Sequence, residues 1–568
     1  MGQQFIVNTY QNNWQNDPDI LALPGGGFLV TWDTYINEYD DGPSAYAISA
    51  QQYDASGRRV GSEFLFHGID GAASTEPSIA ALSDGGFAVA WSYSPDGILG
   101  QTRALVRAYD ADGTPRTGVL RVDTIELFEA VEPRVVATAK GGFMVTFTAD
   151  KTGPTFDDVY YRLYDRDGTA QGRERLLNTR EDYLDQGIVE TARLPGGRVV
   201  AVWNSESTLD TAADVDSNEL RATVFSPEGK VIRADFHLAS NIGAAGGNDG
   251  SGYDVAALGK GFVVSQLEYG FKVDGGDPDF VLLQTFDASG HATSGRIRAF
   301  RTDEVLISTD VTTLATGEIV VVWEQQSLNR NEIGNDVYGR VFSAGGRALT
   351  GVFEVGTDFS KYDEQEDPVV EALAGGGFVV SYGHDNLDAE DEGVAARIFG
   401  RGTNGADALT ADRSGYLAGR GGNDRLTGDG RANVLDGGAG NDTLKGQGGN
   451  DVLTGGPGRD LLVGGAGADD FVFDRRGDGT DRIQGWTSGD DIVLDHAAFG
   501  GIGRGGSLPG SAFRVLGQGR VDGTDRILYD RGEGRVFYDP DGSGRAGREL
   551  LADFDGTPKL GADDFQVV

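Results

Sequence analysis

The chain contains no cysteine, only 2 methionines and few basic residues, with 48 Lys and Arg against 88 Asp and Glu. The missing cysteine excludes disulfides, thiolate catalysis and cysteine-based zinc sites. No apolar run reaches the roughly 18 residues that a transmembrane helix needs. The net charge of −40 disfavours nucleic acid, which requires a basic surface, and favours divalent cations. We therefore expect a protein that binds no nucleic acid and has no membrane-spanning segment.

Glycine is abundant, and from Gly419 it marks a nine-residue repeat of the form Gly-x-x-Gly-x-Asp/Asn-x-Leu-x. Glycine allows positive φ and a close approach of backbone carbonyls to an ion. Aspartate supplies the hard oxygen ligands that Ca²⁺ prefers. The apolar residue of each repeat keeps one phase, which predicts one short strand per repeat with a single side chain directed inward. The six repeats begin at Gly419, Gly428, Gly437, Gly446, Gly455 and Gly464.

If two repeats complete one coil, residues 18 positions apart stack. Two carboxylates about 4 Å apart repel by about 4 kcal/mol at an effective dielectric of 20, so the stacks oppose folding until a cation bridges them. Asn433 is neutral, which weakens one site, and Asp407 belongs to an incomplete first coil. The predicted metal ligands for several Ca²⁺ ions are Asp407, Gly419, Asp424, Asn433, Gly437, Asp442, Gly446, Asp451, Gly455, Asp460, Gly464 and Asp469.

These repeats resemble the calcium-binding nonapeptides of RTX (hemolysin-type) proteins. The resemblance implies a parallel β-roll over residues 401–475, and a cap with a type I secretion signal over residues 476–568. The last residues, LGADDFQVV, are similar to the uncleaved signal of that export system. Folding would then follow export, because calcium is plentiful only outside the cell. The alternative, a flexible Gly/Asp-rich linker, would lack the apolar residue at every ninth position.

Residues 1–400 contain a longer repeat, in which a leucine and a glycine turn precede an apolar strand that ends in an aromatic residue. Seven copies with β-branched and aromatic strands indicate an all-β ring. The N-terminal stretch QQFIVNT matches the fourth strand that the last copy lacks. We predict a seven-bladed β-propeller closed by this strand, with a two-sheet sandwich array as the alternative. The closing aromatic or apolar residues are Trp32, Trp91, Phe147, Trp203, Leu267, Trp323 and Tyr382.

The loops of the predicted propeller indicate where it could bind a ligand. Acidic loops with Tyr39, Tyr183 and Tyr362 are expected on one face, and His384 is the single histidine expected there. No catalytic serine or zinc motif is present. We predict a secreted or surface-associated bacterial binding, adhesion or matrix module that contacts a glycan, a cell surface or another copy of itself. The alternative is an extracellular hydrolase or lyase of a polysaccharide or ester, favoured if charged groups converge in the central channel.

Overall fold

In the computed structural model, strands are the main regular element of the residues that it describes. The residues it does not describe are 1–3, 10–13, 36–45, 67–71, 96–101, 125–128, 151–157, 179–183, 208–218, 241–251, 270–277, 327–333, 357–363, 375, 385–392, 403–404, 412–414, 478, 497, 504–505 and 543–546. The described part contains 44 strands and three short 3₁₀ turns, at Ala139–Gly141, Gly510–Ala512 and Ala562–Asp564. The protein is all-β, as predicted.

Each long repeat folds into the first two strands of a sheet because its glycine turn reverses the chain tightly. In the first copy, the Leu23 amide donates to Gly27 O and the Gly26 amide donates to Leu23 O, both at 2.8 Å. Gly26 takes a φ of 81°, which suits glycine. A Cβ on Gly27 would overlap the carbonyl oxygen of Tyr53. The strand that follows carries Trp32, which is fully buried between neighbouring sheets.

Six separate four-stranded antiparallel sheets follow one another along the chain after the N-terminal strand β1 (Phe5–Ile6). The first two are β2 (Gln15–Ala22), β3 (Phe28–Tyr35), β4 (Tyr46–Tyr53), β5 (Arg59–Leu65), and β6 (Ala73–Ala81), β7 (Phe87–Ser94), β8 (Arg103–Tyr109), β9 (Leu120–Arg121). The next two are β10 (Glu129–Ala137), β11 (Phe143–Asp150), β12 (Asp158–Tyr164), β13 (Arg175–Leu176), and β14 (Leu184–Arg193), β15 (Val199–Ser207), β16 (Glu219–Phe225), β17 (Val231–Ser240). The last two are β18 (Tyr253–Leu258), β19 (Gly261–Glu268), β20 (Asp279–Phe286), β21 (Ile297–Thr302), and β22 (Val305–Thr313), β23 (Ile319–Gln326), β24 (Asn335–Phe342), β25 (Phe353–Glu354).

The number of separate blade sheets is therefore six, and not the seven predicted. The strands predicted for a seventh are β26 (Gln365–Ala372), β27 (Phe378–His384) and β28 (Gly393–Arg401). They belong to an 11-stranded sheet, because the end of β28 pairs in parallel with residues 417–418 of the roll. Strand β1 pairs with the middle of β28, with Phe5 opposite Ala396 and Ile6 opposite Ala395.

The roll consists of two parallel sheets whose strands alternate along the chain. One sheet contains β30 (Tyr416–Ala418), β32 (Val434–Asp436), β34 (Val452–Thr454), β36 (Asp470–Phe473) and β38 (Asp491–Leu494). The other contains β29 (Ala408–Thr410), β31 (Arg425–Thr427), β33 (Thr443–Gly448), β35 (Leu461–Ala466) and β37 (Asp481–Gln484). Leu426 pairs with Leu444, and Leu435 pairs with Leu453. Each coil is thus two repeats, and the fully buried leucines of both sheets form one core.

The C-terminal strands cover the end of the roll. They are β39 (Gly506–Ser507), β40 (Phe513–Val515), β41 (Ile527–Asp530), β42 (Arg535–Tyr538), β43 (Glu549–Phe554) and β44 (Phe565–Val567). Strand β43 adds in parallel to β37, and β44 adds in parallel to β38. Phe565 and Ile527 join the same apolar core as the roll leucines. The last roll edges are therefore paired and are not left open.

Candidate metal centre

Two ladders of aspartates follow the two turns of the roll, as the 18-residue spacing predicts. The amide of Asp424 donates to Asp442 Oδ1 at 2.7 Å, and the amide of Asp442 donates to Asp460 Oδ1 at 2.7 Å. On the other side, the Asn433 and Asp451 amides donate to the carboxylates of Asp451 and Asp469, both at 2.9 Å. One oxygen of each of these carboxylates thus fixes the neighbouring coil, which sets the position of the other oxygen.

In each repeat that carries an aspartate, that second oxygen is directed at the first glycine of the same repeat. The Oδ2 atoms of Asp424, Asp442, Asp451 and Asp469 are buried and accept no hydrogen bond from the described residues. A Cβ built on Gly437 would lie 2.6 Å from Asp442 Oδ2 and 2.7 Å from the carbonyl oxygen of Gly455. The space beside the first glycine is therefore a small cradle of one carboxylate oxygen and one backbone carbonyl oxygen, both hard ligands of the kind that calcium takes.

Burial opposes ionisation of these carboxylates. Desolvation, and secondarily the charges of Asp460 and Asp424, raise the pKa of Asp442 to about 6. The pKa of Asp451 rises to about 7 for the same reason, with Asp469 and Asp429 as the nearby charges. A buried anionic oxygen without a donor costs several kcal/mol. The cradle therefore favours occupation by a cation, and the donor set fits Ca²⁺.

The first glycines and the acidic residues of the predicted set come together in these cradles. The first glycines lie beside the carboxylate or amide of the same repeat at Gly419, Gly437, Gly446, Gly455 and Gly464. Asn433 occupies the ligand position in its repeat, with its amide oxygen beside Gly428. Asp407 is joined to the first ladder, since its amide donates to Asp424 Oδ1 at 2.7 Å. In the described residues no three acidic or histidine side chains form a metal cluster, so each cradle depends on backbone carbonyls as well.

Sequence reasoning missed the last member of each ladder. The Asp460 amide donates to Asp481 Oδ1, and the Asp469 amide donates to Asp490 Oδ1, both at 3.1 Å. These residues are 21 positions from their partners and not 18, because the last coil contains three more residues. The segments DRI and GDDI around them keep the spacing of the nonapeptide, with an apolar residue two positions after the aspartate, and this is the signal that could have identified them.

At the second position of the repeat, two residues other than glycine adopt a left-handed backbone conformation. Gly438 and Gly456 have a φ of 81°, whereas Arg420 and Gln447 adopt φ values of 76° and 75° at the same position. We expect Gln447→Gly to raise the free energy of unfolding of the calcium-loaded roll by about 1 kcal/mol, because a left-handed non-glycine residue costs about that much. Asp429, which does not take a positive φ, is the matched control. Asp429→Gly should lower stability in the same denaturant titration, and equal effects would contradict the prediction.

The propeller contains a second group of carboxylates, around its axis. The innermost strands of the six sheets and β26 line a cavity of about 660 Å³. Side chains here join neighbouring sheets: Asp19 Oδ2 accepts the Ile79 amide at 2.7 Å, and Asp254 Oδ2 accepts the Val311 amide at 3.0 Å. The charged residues on the wall are Asp17, Asp19, Glu76, Glu132, Arg134, Glu190, Arg193, Asp254, Asp310, Asp367 and Glu371. Charged groups therefore converge in the channel.

These buried carboxylates make the stability of the propeller depend on pH. Burial raises the pKa of Asp19 and of Glu371 to about 7. Because the folded-state pKa lies above the unfolded value, the folded state retains protons that the unfolded chain releases. The contribution to stability is thus present below about pH 4 and is lost as the pH rises through about 7. In EGTA, we expect the melting temperature of the propeller to be higher at about pH 5.5 than at about pH 8, and Asp19→Asn should reduce this difference. An unchanged difference in that variant would contradict the assignment.

The predicted acidic loops lie mostly outside the described residues, and so do Tyr39, Tyr183 and Tyr362. His384 is not a loop residue: it is the last residue of β27, and its side chain is buried. The described residues next to 36–45 in the sequence form an aromatic cluster instead. The ring centroids of Trp14 and Tyr35 lie 6.4 Å apart, those of Tyr35 and Tyr46 lie 5.0 Å apart, and Trp14 is 54% exposed.

Comparison with known proteins supports the assignment of the roll. The family of the RTX calcium-binding nonapeptide repeat (4 copies) matches residues 418–453 and 445–475. The described residues contain no helix long and apolar enough to cross a membrane. No curated protein matches the chain. A β-propeller followed by a roll of RTX calcium-binding repeats is thus the architecture of this protein.

Solved structures resemble the propeller only distantly. An α-L-arabinanase from Penicillium chrysogenum shares 14% identity at a TM-score of 0.41 over 70% of this chain and 98% of its own. An α-L-arabinofuranosidase from Fusarium graminearum shares 12% at 0.39, over 69% and 96%. A polysaccharide lyase of family PL25, an ulvan lyase, shares 10% at 0.40, over 70% and 96%.

Proposed function

We propose that the protein is secreted and that calcium folds its roll after export, which presents the propeller as a binding or adhesion module outside the cell. The calcium role rests on the Oδ2 atoms of four aspartates, which are buried and accept no hydrogen bond from the described residues. Each of these atoms is directed at a glycine cradle. The four residues are Asp424, Asp442, Asp451 and Asp469. When bound, Ca²⁺ supplies a positively charged partner for these anionic oxygens. The carboxylates and the glycine carbonyls of the same ladders would hold it, with Asp481 and Asp490 completing the last coil.

The expected affinity suits an extracellular switch. Sites built from few charged ligands bind calcium with dissociation constants of about 10⁻⁴–10⁻³ M, which is matched outside the cell. Each site that is filled at a tenfold excess over its dissociation constant adds about 1.4 kcal/mol to stability. With several sites, a rise in calcium concentration changes the folding equilibrium of the roll by orders of magnitude. A type I export machinery, which requires an unfolded chain, is the partner that this switch fits.

We also infer that β26, β27, β28 and β1 act as a seventh blade. The innermost strand β26 has the same register shift, between Glu366 and Val369, that β2 has between Asn16 and Asp19. Its Val370 amide donates to Asp310 of the preceding sheet at 2.6 Å, as Ile79 donates to Asp19. The antiparallel pairing of β1 with β28 supplies the fourth strand, so the ring has no open gap.

The aromatic cluster of Trp14, Tyr35 and Tyr46 supports a glycan as the ligand. Exposed aromatic rings provide flat apolar surfaces with polar edges, and the apolar C–H face of a sugar ring packs against such a surface. We expect Trp14→Ala to weaken binding of the hit from a glycan array by roughly tenfold, the effect of losing one exposed aromatic anchor. Val231→Ala, which removes an exposed apolar side chain from β17 (46% exposed, against 54% for Trp14), is the control. Equal affinity of both variants would place the site elsewhere.

A hydrolase or lyase is the second candidate, and the convergence of charged groups in the channel favours it. Burial raises the pKa of Asp19 and of Glu371 to about 7, which is the range that suits a general acid at neutral pH. Against this role, Asp19, Asp254 and Asp310 already accept backbone amides that hold neighbouring sheets together. Turnover of any polysaccharide in a substrate panel, abolished by Glu371→Gln in a protein that still melts cooperatively, would establish the enzyme and displace the binding role.

A further inference from the structure

The roll and the propeller share one strand. Residues 393–399 of β28 pair with β27, and Ala395 and Ala396 pair with β1. The last two residues, Gly400 and Arg401, pair in parallel with Leu417 and Ala418 of the roll. Strand β28 therefore pairs with β1 along its middle and with the first coil of the roll at its end.

The two parts also share a hydrophobic core. Tyr416, Val434 and Val452 are the outward-facing first residues of the roll strands β30, β32 and β34, and they are 0, 2 and 8% exposed. They pack in one cluster with Phe378 and Phe399 of the propeller. On the opposite roll sheet the corresponding residues are Arg425, Thr443 and Leu461, which are exposed or half-buried. One face of the roll thus carries an outward-facing apolar residue every 18 positions, and the propeller packs against this face.

Polar contacts and close packing fix this interface. Arg347, which follows β24, forms an ion pair with Asp470 of the roll. Arg420 Nη2 donates to the carbonyl oxygen of Ala374 at 3.3 Å. Gly400 has a φ of 64°, and a Cβ at this position would overlap the Tyr416 ring. The contacts therefore leave little freedom for the roll to change its packing without moving β28.

The N-terminal strand is held on its other side by the first sheet of the propeller. Arg59 Nη2 donates to the carbonyl oxygens of Ile6, Val7 and Asn8 at 3.0–3.2 Å, and Tyr53 Oη donates to Val7 O at 3.0 Å. The Val7 amide donates to Val394 O of β28 at 2.8 Å. Residues 5–8 thus lie between β28 and the first sheet, and they close the ring only if β28 is in place.

We propose that calcium binding in the roll controls closure of the propeller ring, because the folded roll holds β28 in the position that seats β1. This rests on the proposed calcium role of the roll and extends it to the propeller. In calcium-free protein, Phe378 and Phe399 are no longer covered by the face of the roll that carries Tyr416, Val434 and Val452. Strands β1 and β28 then open locally, while sheets on the far side of the ring remain folded.

Hydrogen exchange measured by mass spectrometry on the full chain tests this. In EGTA, amides of residues 4–9 and 393–399 should exchange roughly tenfold or more faster than in millimolar Ca²⁺, as expected for a local opening. Residues 199–207 of the fourth sheet should not change. If roll amides at 443–448 are insensitive to EGTA, the calcium role itself is wrong. If they respond while residues 4–9 do not, the coupling alone is overturned.

Matched variants separate coupling from folding of the roll. Val434→Lys places a charge in the interface, and Thr443→Lys places it at the same strand position on the opposite sheet. In Ca²⁺, Val434→Lys should expose residues 4–9 to exchange while roll amides stay protected, and Thr443→Lys should behave as the wild type.

A second pair of variants disrupts the interface from the propeller side. Arg347→Glu removes the ion pair with Asp470, and Lys230→Glu in the corresponding hairpin of the fourth sheet is its control. If Val434→Lys prevents folding of the roll, the exchange of residues 4–9 in Arg347→Glu tests the proposal instead. Wild-type protection of residues 4–9 in Arg347→Glu and in a folded Val434→Lys overturns the proposal.

Discussion

Removal of calcium from the full-length protein should unfold the roll between Tyr416 and Leu494 and leave most of the propeller folded. The carboxylates of Asp442 and Asp451 are buried beside other carboxylates of the same ladder, which raises their pKa to about 6 and about 7. At neutral pH their ionisation opposes folding unless a cation is present. Far-ultraviolet circular dichroism in EGTA and in millimolar Ca²⁺, with a calcium titration between them, measures the transition.

Magnesium provides the control for this experiment. Mg²⁺ requires near-ideal octahedral geometry and retains its waters, so a cradle of one carboxylate and backbone carbonyls does not suit it. Millimolar Mg²⁺ should therefore fail to restore the spectrum that Ca²⁺ restores. Identical, fully ordered spectra of this full-length protein in EGTA and in Ca²⁺ would contradict both the switch and its proposed role after export.

The substitution Gly437→Ala should abolish one calcium site with a single methyl group. The added Cβ would lie 2.6 Å from Asp442 Oδ2 and 2.7 Å from Gly455 O, which is inside the space that the two ligand oxygens share. Gly437 does not take a positive φ, so alanine is acceptable to the backbone and the effect comes from the cradle. Calorimetric titration should show one ion fewer, and the midpoint of calcium-induced folding should rise several-fold, since one site contributes about 1.4 kcal/mol at tenfold saturation.

The control for this substitution is Gly430→Ala in the preceding repeat. Gly430 also lacks a positive φ, and a Cβ on it would meet no atom within 4 Å. This variant should bind the same number of ions as the wild type at an unchanged midpoint. Equal loss of calcium in both variants would mean that alanine disturbs the repeat in general, and would refute the cradle at Gly437.

The ladder of Asp424, Asp442 and Asp460 could be predicted because an exact repeat converts sequence spacing directly into spatial stacking. Asp481 and Asp490 were missed since the last coil is longer, which breaks the period while preserving the contact. The strands of the propeller followed from their apolar cores and glycine turns. The separate sheets were miscounted because nothing in the sequence of β28 shows that Gly400 and Arg401 pair with the roll. The channel carboxylates were missed as well, since Asp19 and Glu371 are buried by neighbours that only the ring brings together.

The pairing of Phe5 with Ala396 has a practical consequence for anyone who produces this protein. The first strand emerges from the ribosome long before its partner is synthesised, and contacts so distant along the chain form slowly. An affinity tag or a reporter fused just ahead of residue 4 would be attached directly to the strand that Arg59 and Glu63 hold by hydrogen bonds at residues 6–9. Labels and surface attachment chemistry therefore belong elsewhere, for example at the exposed turn around Lys230.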